Sequence, residues 1–558
     1  MTRRIALIAV DAQWRDPNGT FFSFSYGIEA LRAAIVSAPE SADVEVRIID
    51  LRSDDPDAYF AEIADFRPTL VGLSTYIWSL EVFAGLTERL RRHDPRVVIV
   101  AGGPAARRNV LDLPPHHALR DRLDAIVPGE GEAVIRELAR HHLDRGWRTR
   151  VAGLELPQRG LWRRSGEAER PEIGAFPSPY QLDLAPKGKS GYVETFRGCP
   201  IHCAFCQWGD QKSDRVHSAE YLARHLEGLR RAEVPNVFFL DAAFNLSPRA
   251  FRSLVAAEAE VGVLKDMIVH GHLYPTFLEE HHLDFFDRCG QIQASVGIQS
   301  FDPEVLQRLG RPFDIDRFQR VLRRMRGRVD VDIELIYGLP GDNPESFRRT
   351  LETSLELGHS VKIFRCLVLP DALLERAAEM GIDYDPRTFE MIACEGWPAD
   401  VFESEWRRVS ELAASFDRPI LNDDWVGFVV RRHQRLDDKG ARDDHGAGDG
   451  AHDVCDPNLE QAPLESAAID RLRGAIASAA TGWSLRGVRG REGLLLVELT
   501  TPREEVVLEV VPHVAGARFF AERGGLAYSH RGPLSRESAP GLRRVIGVVH
   551  DYALGVLA

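Results

Sequence analysis

Residues Thr195–Gly209 read TFRGCPIHCAFCQWG and carry three cysteines, Cys199, Cys203 and Cys206, in the spacing CxxxCxxC. The run just ahead, Gly191–Phe196, is apolar and reads as a β-strand, and Ala219–Ala232 follows with a helical period. The cysteines therefore sit on the loop of a βα unit. Three thiolates on one short loop can wrap three corners of an iron–sulfur cube and leave the fourth iron open to a small chelating ligand. Zinc is the alternative, but structural zinc normally takes four ligands in paired CxxC or Cys/His units. His202, inside the loop, keeps a zinc knuckle in view.

Outward from this loop the βα rhythm continues. Candidate strands are Asn236–Asp241, Met267–His272, Gln291–Gln299, Asp330–Tyr337 and Val361–Leu369, with helices at Arg249–Glu260 and Pro344–Leu357 among them. Six such units predict a partial (β/α)6 TIM-like barrel over 185–400, active at the carboxyl ends of its strands. Residues 1–150 alternate in the same way, with strands at Ile5–Val10, Val44–Ile49, Leu70–Ser74, Val97–Ala101 and Ala125–Val127 and helices such as Ile28–Ser37 and Leu80–His93. Near-continuous apolar strands between helices predict a doubly wound, flavodoxin-like α/β domain whose ligands lie beyond the strand carboxyl ends. Residues 151–184 are basic and then Pro-punctuated, and read as a linker. From 401 to 558 a helical stretch precedes a small α+β piece that ends in a helix. Its Gly/Asp-rich segment, 435–460, is expected to be a mobile loop.

Bulk properties narrow the function. The chain has 558 residues, enough for three or four domains, and its formal charge of −14 argues against a nucleic-acid binder, which needs a basic face. No apolar run reaches the roughly 18 residues of a membrane span. Seven cysteines, four of them scattered, are not a secreted disulfide framework. They suggest a reducing cytoplasm with one specialised thiolate site.

The cysteine loop and the strand ends behind it resemble the radical SAM superfamily. The resemblance rests on the CxxxCxxC loop, on Leu240–Asn245 after the second barrel strand, on Gly297–Ser300 after the fourth and on Ile336–Asp342 (IYGLPGD) after the fifth. It implies that S-adenosylmethionine (SAM) chelates the open iron of a [4Fe–4S] cluster and that one electron, from a donor such as flavodoxin or ferredoxin, cleaves it to a 5′-deoxyadenosyl radical. It makes Asp241, Gln299, Ser300 and Glu334 candidate contacts of SAM or substrate. Pro370-Asp371-Ala372 stands where the family often has Pro-Gly-Thr. Taken singly, each strand end is an ordinary turn.

A doubly wound domain ahead of such a barrel resembles the cobalamin-binding class of that superfamily. The elements that carry the likeness are Ser74-Thr75-Tyr76 with Trp78, then Gly102-Gly103-Pro104, then Gly129-Glu130. Ser74 and Gly102 stand 28 positions apart (102 − 74). No DxHxxG occurs, so cobalamin would bind without a histidine below the cobalt, and Trp78 or Tyr76 could fill that face. A dinucleotide-binding domain is the rival, but GxGxxG is missing after the first strand. The class implies C-methylation of a small-molecule or peptide-derived natural-product precursor, by way of methylcobalamin. Cyclisation or rearrangement, polar methylation of a tryptophan indole, and an idle cobalamin/iron–sulfur sensor or carrier are the other readings. His270, His272 and Cys366 are further candidates for which packing is the plainer explanation.

Overall fold

The computed structural model describes residues 3–10, 24–51, 53–158, 160–210, 215–311, 313–325, 329–357, 360–416, 466–478, 482–491, 494–500, 505–510, 526–530 and 545. The first sheet is built from β1 (Arg3–Val10), β2 (Val44–Leu51), β3 (Leu70–Ser74), β4 (Val98–Gly102), β5 (Ala125–Val127), β6 (Glu155–Gln158) and β7 (Leu161–Arg164), in the order β2-β1-β3-β4-β5-β6-β7. The first five run parallel. β1 is apolar and buried from Ile5 onward because helices cover both sheet faces. One layer includes Leu80–His93, whose Leu80, Phe83, Leu86 and Leu90 point inward while Arg91, Arg92 and His93 close its negative end. Tyr26–Val36 and Glu132–His141 lie on the other face.

The linker reading of 151–184 is corrected in its first third. Residues 155–158 and 161–164 form the antiparallel pair β6 and β7 and extend the first sheet. Glu155, buried, holds this edge by accepting from Arg108 at 2.6 Å through each oxygen and from Arg164 at 3.1 Å.

The second sheet contains β8 (Gly191–Val193), β11 (Asn236–Phe239), β12 (Ile268–His272), β13 (Gln291–Gln299), β14 (Asp330–Tyr337) and β15 (Ser360–Arg365), in the order β15-β14-β13-β12-β11-β8. Between β8 and β11, β9 (Phe196–Arg197) and β10 (Arg215–Val216) form a short antiparallel ribbon around the cysteine loop. Along β13 buried residues alternate with half-buried ones, so Gln293, Ser295, Gly297 and Gln299 share the face opposite Ile292, Ala294, Val296 and Ile298.

The described chain divides into two compact units. The first comprises residues 1–331, 338–346 and 365–402, and so holds the whole first sheet, the cysteine loop and β11 to β13. The second comprises 332–337, 347–364 and 403–558. Its own packing centres on Tyr337, whose ring lies 5.1 Å from Phe347 and 5.0 Å from Trp406. It carries the helix Ser466–Ser478 and a four-stranded antiparallel sheet. The loop expected at 435–460 lies outside the described residues. Among the described residues no helix is long and apolar enough to cross a membrane.

Candidate cofactor site

The cysteine loop starts from a fixed base. Asp241, 1% exposed just beyond β11, accepts from the Thr195 amide at 2.8 Å, the Thr195 hydroxyl at 2.6 Å and the Phe196 amide at 3.2 Å. Burial pushes its carboxyl up to about 7 despite these donors. Expected as a SAM contact, Asp241 is instead committed to the chain leading into the cysteines.

Cys199 and Cys203 are buried and Cys206 half-buried. Burial raises the Cys199 thiol and takes Cys206 to about 11, and each of these thiols feels the charge of its cysteine neighbours. Among the described residues no three His, Cys, Asp or Glu groups converge on a single metal ion. Phe205 is buried beside the sulfurs, whereas Trp208 is 46% exposed.

The loop after the helix Pro303–Arg308 closes over the cysteines. Ala204 donates to the Leu309 carbonyl at 2.8 Å. Gly310, at φ +67°, approaches so closely that a Cβ there would stand 2.9 Å from the His202 carbonyl oxygen. Arg311 then donates to the Cys203 sulfur at 3.5 Å and to the Gly297 carbonyl, with its guanidinium 4.8 Å from the Tyr274 ring centre. Its Nε is buried without a partner. No spacing rule singled Arg311 out; the nearest signal was its place twelve residues after Gln299. Gln299 takes a left-handed φ of +74°, and its Oε1 is a buried acceptor without a partner. An unsatisfied acceptor on a strained strand end beside Arg311 marks a place built for a donor from outside the chain.

Other predicted residues have structural partners. Ser300, fully buried, accepts from the Asp302 amide at 3.1 Å and shapes the turn into the next helix. Glu334 belongs to the second unit, where it lies 3.9 Å from Nζ of buried Lys362, itself 3.0 Å from Asp332. Gly338 and Gly341, at φ +83° and +86°, make the IYGLPGD turn, and the Phe402 ring leaves no room for a Cβ at Gly338. Cys366 is buried and its thiol pushed far up by that burial.

The rim of the first sheet brings its predicted elements together. Ser74 pairs with Gly102, and Gly102 with Val127. Thr75 donates through both its amide (2.7 Å) and its hydroxyl to the Gly102 carbonyl. Gly103 has φ +97°, and a Cβ there would stand 2.8 Å from the Thr75 oxygen, so only glycine fits. Gly27 and Gly129 differ, because a Cβ at either would meet nothing within 4 Å. A Cβ at Gly102 would touch Val127 only at ordinary contact distance. Packing within the chain does not require glycine at these three rim positions, and the space before them is what a flat ligand lying against backbone needs. Tyr76 and Trp78 stack with centres 4.4 Å apart, and the Trp78 indole donates to the Val10 carbonyl at 3.1 Å, which fixes the pair at the rim. Glu130 departs from expectation, being held by Arg197 at 2.9 Å and by Arg215.

These residues match known families. Residues 193–353 fit the radical SAM superfamily and residues 25–139 the B12 binding domain. The chain carries a B12 binding domain ahead of a radical SAM domain. Its cofactors are accordingly a [4Fe–4S] cluster with SAM on the barrel and cobalamin on the first domain. The 2-(S-pantetheinyl)-carbapenam-3-carboxylate methyltransferase of Streptantibioticus cattleyicolor is 28% identical to this chain, over 65% of this chain and 56% of the relative. The cobalamin-dependent radical SAM methyltransferase TokK of Streptomyces tokunonensis is 28% identical over 58% and 51%. The chain thus spans about half the length of the curated relatives it matches. In fold it is similar to the radical SAM methyltransferase TsrM from Kitasatospora setae, at a TM-score of 0.58 and 18% identity, covering 74% of this chain and 89% of that one.

Proposed function

We propose that the chain is a cobalamin-dependent radical SAM C-methyltransferase. It would move a methyl group from SAM, with cobalamin as carrier, to an unactivated carbon of a small-molecule or peptide-derived natural-product precursor. The observation that carries this reading is the presence, in one compact unit, of a three-thiol loop beside unpaired Arg311 and Gln299 atoms and of a glycine-lined rim. The two relatives described above are methyltransferases by name.

When bound, the cluster and SAM supply an adenosyl radical, and cobalamin carries the methyl group. The chain's residues bind and orient. Cys199, Cys203 and Cys206 would anchor three irons. The Arg311 guanidinium offers donors to a carboxylate such as that of SAM, and Gln299 Oε1 offers an acceptor to a hydroxyl or ammonium group. The rim glycines would admit the corrinoid. The Tyr76–Trp78 pair would pack against the corrinoid and exclude water there, in a chain without the DxHxxG histidine. The electron donor would be a flavodoxin or ferredoxin, and the compartment a reducing cytoplasm.

The test is anaerobic reconstitution with iron, sulfide and cobalamin, followed by SAM and reductant, with products analysed by mass spectrometry. 5′-Deoxyadenosine together with S-adenosylhomocysteine supports radical methylation. S-adenosylhomocysteine alone supports polar transfer, and the absence of both overturns the enzymatic reading.

A further inference from the structure

Two side chains flanking the cysteines reach out of the barrel into the first domain. Arg197, two residues before Cys199, donates through Nη1 to Glu130 at 2.9 Å and through Nη2 to Glu132 at 2.5 Å. Its Nε is held by Glu194 at 2.9 and 3.0 Å. Glu130 and Glu132 lie in and just after the loop that follows β5. Gln207, immediately after Cys206, donates through Nε2 to the Pro104 carbonyl at 3.0 Å, in the loop that follows β4. The cysteine loop is therefore tied at both ends to two consecutive rim loops.

The tie at Arg197 is strong for physical reasons. Its side chain is 25% exposed and those of its three carboxylates 14–22%, so solvent screens the bonds only partly. Burial disfavours ionised Glu194, but Arg197 and then His217 outweigh it and hold the carboxyl near 2, so the anion persists at neutral pH. Arg215 sits opposite Arg197 in the ribbon and bonds the second oxygen of Glu130. Bonds between ions are roughly twice as strong as neutral ones. A guanidinium can serve three carboxylates at once, whereas an ammonium of the same charge cannot match that planar fork.

We propose that Arg197 and Gln207 are positioning residues that clamp the cluster loop to the cobalamin-domain rim and so fix the separation of the two cofactors. The proposal rests on the reading that the rim holds cobalamin. A group passed between two centres tolerates little misplacement, since about 1 Å can cost roughly a hundredfold in rate.

The experiment uses the full chain as wild type and as Arg197→Met/Gln207→Leu. Hydrogen exchange is followed in the unloaded protein. The protein loaded anaerobically with iron, sulfide and cobalamin is reduced with dithionite, and pulsed EPR measures the magnetic coupling between Co(II) and the reduced cluster. In the double variant, peptides covering 128–133 and 195–208 should exchange roughly tenfold faster, because charge-assisted bonds that held them are lost. The cobalt–cluster distance distribution should broaden at unchanged iron and cobalamin content. Unchanged exchange and an unchanged distance distribution overturn the clamp. If the double variant fails to fold, Gln207→Leu and Arg197→Lys decide in its place: faster exchange at 195–208 supports the clamp and wild-type exchange rejects it. A wild-type chain that takes up iron but no cobalamin sinks the functional reading above, and exchange in the unloaded protein still decides whether the ties hold the loop.

Discussion

Asp241 shows how one carboxylate can shape a site through the backbone leading into it. Its three donors come from Thr195 and Phe196, so it fixes where the cysteine loop leaves β8. Burial raises its folded pKa to about 7, against roughly 4 in an unfolded chain. Between those values the native state binds more protons than the unfolded state. The associated stability is complete below about pH 4 and is lost as pH rises through 7. Asp241→Asn, which keeps one acceptor oxygen and removes the titration, should flatten this decline. Denaturant midpoints at pH 5 and 7.5 measure it. Wild type should lose on the order of 1–3 kcal/mol more than the variant over that span, and parallel declines would show that another group is responsible. Trp78 allows a spectroscopic test at the same scale. The indole is tied to Val10 and stacked on Tyr76, and under the proposed function this pair would keep water from cobalt. In the cobalamin-loaded protein Trp78→Ala should convert the cob(II)alamin EPR signal to that of a water-ligated, five-coordinate centre. An identical signal in wild type and variant would place the indole elsewhere.

The rim loops separate two uses of glycine at the level of elements. Gly103 is required by the fold, since it has a left-handed φ and its Cβ would clash with Thr75. Gly103→Ala should cost about 1–3 kcal/mol by thermal or chemical denaturation. Gly129 faces open space, so Gly129→Ala should leave stability within about 0.5 kcal/mol while weakening cobalamin retention on gel filtration. Equal retention by Gly129→Ala and wild type would mean that no ligand approaches that loop. The elements differed in how far the chain's chemistry announced them. β1, β3 and β4 were legible because strands buried on both faces must be apolar throughout. β6 and β7 were not: ELPQ and LWRR carry no such pattern, and besides their backbone ladder the pair is tied by the bonds of Glu155 to Arg108 and Arg164, the former some 50 residues away in sequence. Likewise the cysteines declared themselves by spacing, whereas Arg311 reaches them only because the Leu309–Arg311 turn folds back over the loop. The place of Glu130 after β5 could be read from the sequence, but its partners, Arg197 and Arg215, could be read only from the ribbon that pairs β9 with β10.

For the whole molecule, what matters is that the two cofactor regions share one compact unit and several direct bonds. Besides the ties at Arg197 and Gln207, Arg107 of the first domain donates to Asp371 at 2.5 Å, and His116 lies 2.9 Å from the Pro386 carbonyl. Phe389, far along the chain, packs in the core of the first sheet. Loops joined in this way do not order independently. Binding at the rim lowers the entropy that the cysteine loop must still lose when iron is added, and thermodynamic linkage makes the effect reciprocal. Cobalamin should therefore bind the cluster-loaded chain at least about fivefold more tightly than the unloaded chain, the lower end of typical coupling between sites. Prior cobalamin should protect peptides around Cys199–Cys206 from hydrogen exchange to a matching degree. Anaerobic titrations of cobalamin into the two forms, read by its visible absorbance, give the ratio directly. Arg197→Lys, which loosens the tie but keeps the charge, should bring that ratio toward one. A ratio of one already in the wild type would mean that the bonds between the regions are too soft to transmit order, and that each cofactor is held by its own domain alone.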